Sequence, residues 1–186
     1  MSLAEGLAAA LLLARGRPEG LALLPPAMES AAFSFRAAWL CLPAFLGLRL
    51  LDWSVGTAPR AGIPVALAAE AVGFVVAWAG FALASRAMCL VAGRGARWPR
   101  FIAAWNWTNL VQYAVLALVA VPSMTVLPGW AADLLGILTL GYVLWLVWFV
   151  ARAALEVPGA TAVLFVVLDL ALGLFTRGFT ARISGM

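Results

Sequence analysis

The apolar runs constrain this chain most. Between short polar breaks the sequence repeats stretches of roughly 20 apolar residues, the length an α-helix needs to cross the hydrocarbon of a bilayer at 1.5 Å per residue. A soluble core helix is satisfied with about 10–14 such residues. Composition agrees. Of 186 residues, 66% are hydrophobic and 11% charged, against roughly 45–50% and 25% in soluble domains. A soluble fold of this size could not hide that much apolar surface in one core, so lipid is the expected second solvent.

The runs and their punctuation predict an all-α membrane protein, a five-transmembrane-helix bundle with a short N-terminal amphipathic helix. Residues 1–30 form an interfacial helix and connector, and residues 31–186 the membrane domain, with spans at about 32–52, 63–91, 101–121, 131–154 and 160–179. Ser2 and Glu5 have the spacing of a capping box, in which each side chain satisfies a free backbone N–H of the other. Leu3, Leu7 and Leu11 share one face of that helix, which is expected on the membrane surface or against the bundle. Gly16 and Pro18 end it. The N-terminus lacks the basic region of a cleavable signal peptide. Pro43 should kink the first span. Ala69, Gly73 and Ala77, with Gly80 and Ala84, form small-residue rows that let helix backbones approach closely in lipid.

All twelve basic residues are arginine and there is no histidine; the arginine-only, alanine-rich composition points to a GC-rich bacterial genome. The arginines cluster near helix ends, as anchors do, and form no aromatic-interleaved patch of the kind that binds nucleic acid. With five spans, Arg15, Arg17, Arg36, Arg86, Arg94, Arg97, Arg100 and Arg152 fall on one side and Arg49, Arg60, Arg177 and Arg182 on the other. The positive-inside rule then puts the N-terminus in the cytoplasm and the C-terminus outside. Arg94, Arg97, Arg100 and Arg152 are the candidate cytoplasmic-side anchors. Helical spacing pairs Arg49 with Asp52 and Arg152 with Glu156. Trp105, Trp107, Trp145 and Trp148 read first as interfacial belt residues.

Ionisable groups within apolar runs are the candidate functional residues, because a charge at mid-helix costs about 2.5–3.5 kcal/mol to insert. Asp169 lies near the centre of the fifth span and Glu70 about two turns into the second. Asn106, Asn109 and Gln112 recur every three residues and so form a stripe on the third. If the third and fifth spans touch, Asp169 can reach Asn109. This polar set is open to three uses: interhelical hydrogen bonding, a proton or ion path, or recognition of a lipid or partner. Catalysis needs a nucleophile with a base, an acid–base pair or a metal. The chain offers no histidine, no phosphate loop and no nucleophile elbow; Cys41 and Cys89 read as buried hydrophobes. No enzyme activity, metal or cofactor is therefore expected.

One resemblance emerges from the loops. The basic turn into Arg97-Trp98-Pro99-Arg100-Phe101, followed by Trp105-Asn106-Trp107, and the end of the fourth span at Trp148-Phe149-Val150-Ala151-Arg152, followed by a Pro-Gly turn and a fifth span with Asp169, resemble bacterial relatives of the YIP family, the Ypt/Rab-interacting membrane proteins. The resemblance covers roughly Ala32 to the C-terminus. It implies five spans and a role in membrane organisation, and it supplies no catalytic residues. The long cytosolic domain of the eukaryotic members has no counterpart here, so their Rab binding does not carry over. The first expected function is thus a non-enzymatic scaffold or accessory subunit of the bacterial inner membrane, in contact with the bilayer and with a homo-oligomer or membrane-protein partner left open. The second is a small transporter or channel subunit using Asp169, Glu70 and the Asn106, Asn109 and Gln112 stripe. Five spans do not divide into equal inverted repeats, which weighs against the commonest transporter plan.

Overall fold

The computed structural model describes residues 1–186. It is all-helical: α1 (Leu3–Leu13), α2 (Met28–Ser34), α3 (Arg36–Val55), α4 (Ile63–Val91), α5 (Trp98–Thr125), α6 (Gly129–Leu155) and α7 (Gly159–Ser184), with 3₁₀ turns at Pro18–Leu23 and Gly95–Arg97. Taking α2 and α3 as one segment, five helical segments are long and apolar enough to cross a membrane. Their outward faces carry large apolar side chains at mid-length, among them Val72, Val75, Val76 and Leu83 on α4, Ile137 and Leu138 on α6, and Val167 and Leu174 on α7. Soluble monomers rarely expose contiguous apolar area on this scale; a polytopic membrane protein presents it to lipid.

Boundaries shift where proline reads as a stop. The first segment is interrupted at Phe35, and its second part carries Pro43, the residue expected to kink it, inside the helix. The third continues past Pro122 to Thr125, and the fifth runs on to Ser184. Pro99, in contrast, sits in the first turn of α5, where the missing N–H has no helical acceptor to lose.

The core surrounds the first half of α5. Every residue from Phe101 to Asn109 is buried, covered by α1, α2, α3 and α6. Trp105 and Trp107, expected in an interfacial belt, are core residues instead: Trp105 stacks on Phe81 of α4 with ring centroids 4.1 Å apart, and Trp107 packs under α1. The α1 capping box forms as its spacing implies, Glu5 N–H donating to Ser2 Oγ at 3.2 Å and Ser2 N–H to Glu5 Oε2 at 2.6 Å. The helix docks through Gly6, Ala9, Ala10 and Leu13, and a methyl group at Gly6 would collide with the Trp107 indole. Tyr142 donates to Ala14 O at 3.0 Å. That contact is roughly 20 Å along α6 from Leu155, so α1 lies against the side of the bundle. Leu3, Leu7 and Leu11 remain on its free face.

The small-residue row on α4 works as its spacing implies. It faces α7, and a Cβ on Gly73 would stand 2.7 Å from Thr180 Cγ2, one on Gly80 3.3 Å from Leu172. With α4 drawn close, α7 packs extensively only on α4 and α6.

Candidate functional site

That packing leaves a space. Where α7 turns away from α3 and α5, a cavity of about 230 Å³ opens between α3, α4, α5 and α7. Its wall includes Arg49, Glu70, Asn109, Gln112, Asp169 and Arg177. Of the five residues predicted as one intramembrane polar network, four line this cavity and one does not.

Asn106 is the exception. Successive three-residue steps along a helix drift by about 60° each, so the stripe is not straight. Asn106 turns towards α2 and donates through Nδ2 to Ser34 Oγ at 2.7 Å, both residues fully buried. Asn109 Nδ2 is taken by Trp105 O of its own helix at 2.9 Å. The expected contact between Asp169 and Asn109 is not a hydrogen bond; the two residues share the cavity. Gln112 is buried, and its Nε2 has no acceptor.

Glu70 belongs to the end of the cavity away from Asp169. Its carboxylate lies 3.2 Å from Arg49 Nε on α3 and accepts a 2.9 Å hydrogen bond from Thr180 Oγ1 on α7. Arg49 is nearer Glu70 than its sequence neighbour Asp52, which stands 3.9 Å away and is largely exposed. This contact among three helices is the geometry that local spacing misses. Its only signal in the sequence is a lone carboxylate in α4 and the second of the two arginines of α3, at a similar distance from the shared loop 56–62. Thr180 is eleven residues beyond Asp169 on α7, roughly 16 Å, so the two carboxylates occupy separate ends of the space.

Asp169 has no arginine within ion-pair distance. Its carboxyl lies within reach of the Trp105 indole N–H. Around them runs a continuous aromatic wall. Ring centroids are 6.2 Å apart for Phe45 and Tyr113, 6.2 Å for Tyr113 and Phe74, 5.4 Å for Phe74 and Trp78, and 5.2 Å for Trp78 and Trp105. Arg49 already lies over one member, 5.3 Å from the Phe45 centroid. No group of three or more metal-ligating side chains is present.

The four arginines expected as anchors sit around one end of the bundle, and three are tied to other groups there. Arg97 forms an ion pair with Glu156, which joins the 92–97 loop to the 156–158 turn. Glu156 takes a left-handed conformation (φ 50°) as the cap of α6. This carries it off the helical face, so the expected Arg152–Glu156 pair does not form. Arg152 lies instead over the Trp148 ring at 5.2 Å. Arg100 Nε donates to Leu24 O at 3.0 Å, fastening the N-terminal connector. Arg94 has no polar side-chain partner. At the opposite end, Ala61 N–H donates to Ser184 O at 3.2 Å, closing the α3–α4 loop against the C-terminal turn.

Comparison with protein-family models, with curated proteins and with solved structures finds no match to the chain.

Proposed function

We propose that the chain is a non-enzymatic multi-pass protein of the bacterial cytoplasmic membrane that holds a small polar solute in the cavity between α3, α4, α5 and α7, as a small transporter or channel subunit would. The cavity itself carries this reading. Helices that only needed to pack would close such a space, because an unfilled polar pocket in lipid leaves buried donors without partners, and each costs free energy. Here Gln112 Nε2 is left so, and Asp169 has no counter-charge. Orientation follows from the arginines: the end holding Arg94, Arg97, Arg100 and Arg152 faces the cytoplasm, and a reporter fused after Met186 should be active outside.

The test is access to water. In a Cys41→Ala/Cys89→Ala background reconstituted in liposomes, a thiol placed by Thr176→Cys, on the cavity wall, should react with a membrane-impermeant maleimide from at least one side. Protection from both sides would refute the solute-site reading.

A second reading is a YIP-like scaffold or accessory subunit. What favours it is α6, whose Gly136 and Gly141 are exposed with open space where a side chain would stand, the kind of surface on which another membrane helix can approach closely. A second copy or another membrane protein would occupy it. Cross-linking through Gly136→Cys in native membranes tests this, and a strictly monomeric product without adducts would count against it.

A further inference from the structure

We infer that the ligand of this cavity is a small organic ammonium ion carrying an acceptor oxygen, held by the Asp169 carboxylate, the faces of Trp78, Trp105 and Tyr113, and the Gln112 amide. The inference rests on the reading of the cavity as a solute site and names the solute's class.

Three observations converge on it. First, the lining pairs a carboxylate that has no cationic partner with a wall of aromatic rings in sequence: Phe45, Tyr113, Phe74, Trp78 and Trp105. Aromatic faces carry negative quadrupole and attract ammonium and guanidinium groups, most strongly where water is excluded. Arg49 over Phe45 shows one end of this wall already doing so within the protein. Second, a buried donor without a partner, Gln112 Nε2, belongs to a residue that lines the same space. It requires an acceptor from the ligand, which a hydroxyl or carbonyl oxygen near the ammonium supplies. Third, the size fits. About 230 Å³ falls below the ~300–1,000 Å³ typical of drug-sized ligands.

The cations of the lining do not oppose this. Arg49 is compensated by Glu70 at 3.2 Å and Asp52 at 3.9 Å. Arg177 is exposed and stands eight residues from Asp169, roughly 12 Å along α7. A bare metal ion fits less well, because Ca²⁺ or Mg²⁺ takes about six or more oxygen ligands and the wall around Asp169 is mostly aromatic carbon.

The experiment uses the full chain in lipid nanodiscs and two probes of the same shape: choline, and 3,3-dimethylbutan-1-ol, in which carbon replaces the charged nitrogen. Calorimetric titration should give saturable choline binding at least about tenfold tighter than that of the neutral isostere, a difference of about 1.4 kcal/mol. Asp169→Asn should weaken choline about tenfold or more and leave the isostere unchanged. Equal affinity for the two probes, no saturable choline binding at millimolar concentration, or an Asp169→Asn protein that binds choline as wild type does would each overturn the proposal. The probe comparison needs no variant, so it is decisive even where Asp169→Asn is too unstable to titrate. Labelling at Thr176→Cys separates the two levels. A labelled cavity without choline preference rejects the ammonium ligand alone, and an unlabelled one rejects the solute site as well.

Discussion

Removing the Glu70 carboxylate should expose how this bundle tolerates charge. Glu70 is 4% exposed and is the closest counter-charge to the largely buried Arg49. Glu70→Gln keeps the shape and leaves Arg49 with only the exposed Asp52 at 3.9 Å. Breaking one partner of a buried ion pair costs about 3–5 kcal/mol, because the remaining charge stays desolvated. Arg49 retains some access to water and can lean towards Asp52, so the lower end of that range, about 3 kcal/mol, is expected. Replacing both partners by apolar residues removes the stranded charge. Arg49→Leu/Glu70→Leu should therefore be much less destabilised than Glu70→Gln, within about 1–2 kcal/mol of wild type. Reversible unfolding in mixed detergent, followed by tryptophan fluorescence, supplies the free energies for the cycle. A loss below about 1 kcal/mol in Glu70→Gln, or a double variant as unstable as the single, would show that the pair is not a desolvated unit and that the account of this end of the cavity is wrong.

Three further outcomes follow from the packing. Gly73→Ala places a methyl 2.7 Å from Thr180 Cγ2 and should cost about 1–3 kcal/mol of overpacking in the same unfolding assay, whereas Gly136→Ala, which meets open space, should change little. Ser34→Ala removes the partner of Asn106 Nδ2 and should cost about 0.6–1.7 kcal/mol, the range for interhelical hydrogen bonds in membranes. The Glu5 carboxyl is held below its ordinary value of 4.5, chiefly because it accepts the Ser2 backbone N–H and also bonds its hydroxyl. A lowered value in the folded state means the cap's contribution is present above pH 4.5 and is lost as pH falls through the lowered value. Amide hydrogen exchange in the first turn of α1 should accelerate over that acidic interval, and Glu5→Gln, which removes the titrating carboxyl, should abolish the pH dependence.

Features that arise within one helix are legible in the sequence. The five apolar segments, the capping box and the small-residue row of α4 depend on spacing along a single element, and spacing is what a sequence displays. Asp169 and Gln112 stand out because polar groups in apolar runs are costly wherever they point. Features that depend on which helices meet stay hidden. Local spacing assigns Arg49 to Asp52 because one turn of helix joins them, whereas the nearer carboxylate comes from α4. The same rule assigns Arg152 to Glu156, and it fails because Glu156 leaves the helix in a left-handed conformation and meets Arg97. Trp105 and Trp107 resemble interfacial residues because their distance from a helix end is legible, whereas the covering of Trp107 by α1 and α2 and of Trp105 by α4 is not. A three-residue repeat resembles a stripe, yet its drift is enough to hand Asn106 to α2 while Gln112 faces the cavity.

The docking of α1 has a consequence for how the chain reaches its final form. Ala14 and its hydrogen-bond donor Tyr142 are 128 residues apart, and the seat for Gly6 lies on α5. At translation rates of about 5–20 residues per second, the helix made first would wait roughly 6–25 s for the surface that covers it. During that interval its Gly6 edge lacks α5 and its leucine side is free, while only the adjoining turn at Pro18–Leu23 packs on it, and the bilayer interface is the solvent that suits such a helix. A surface-bound α1 is then an assembly intermediate, and its departure from the interface would mark the moment the α5–α6 hairpin is in place.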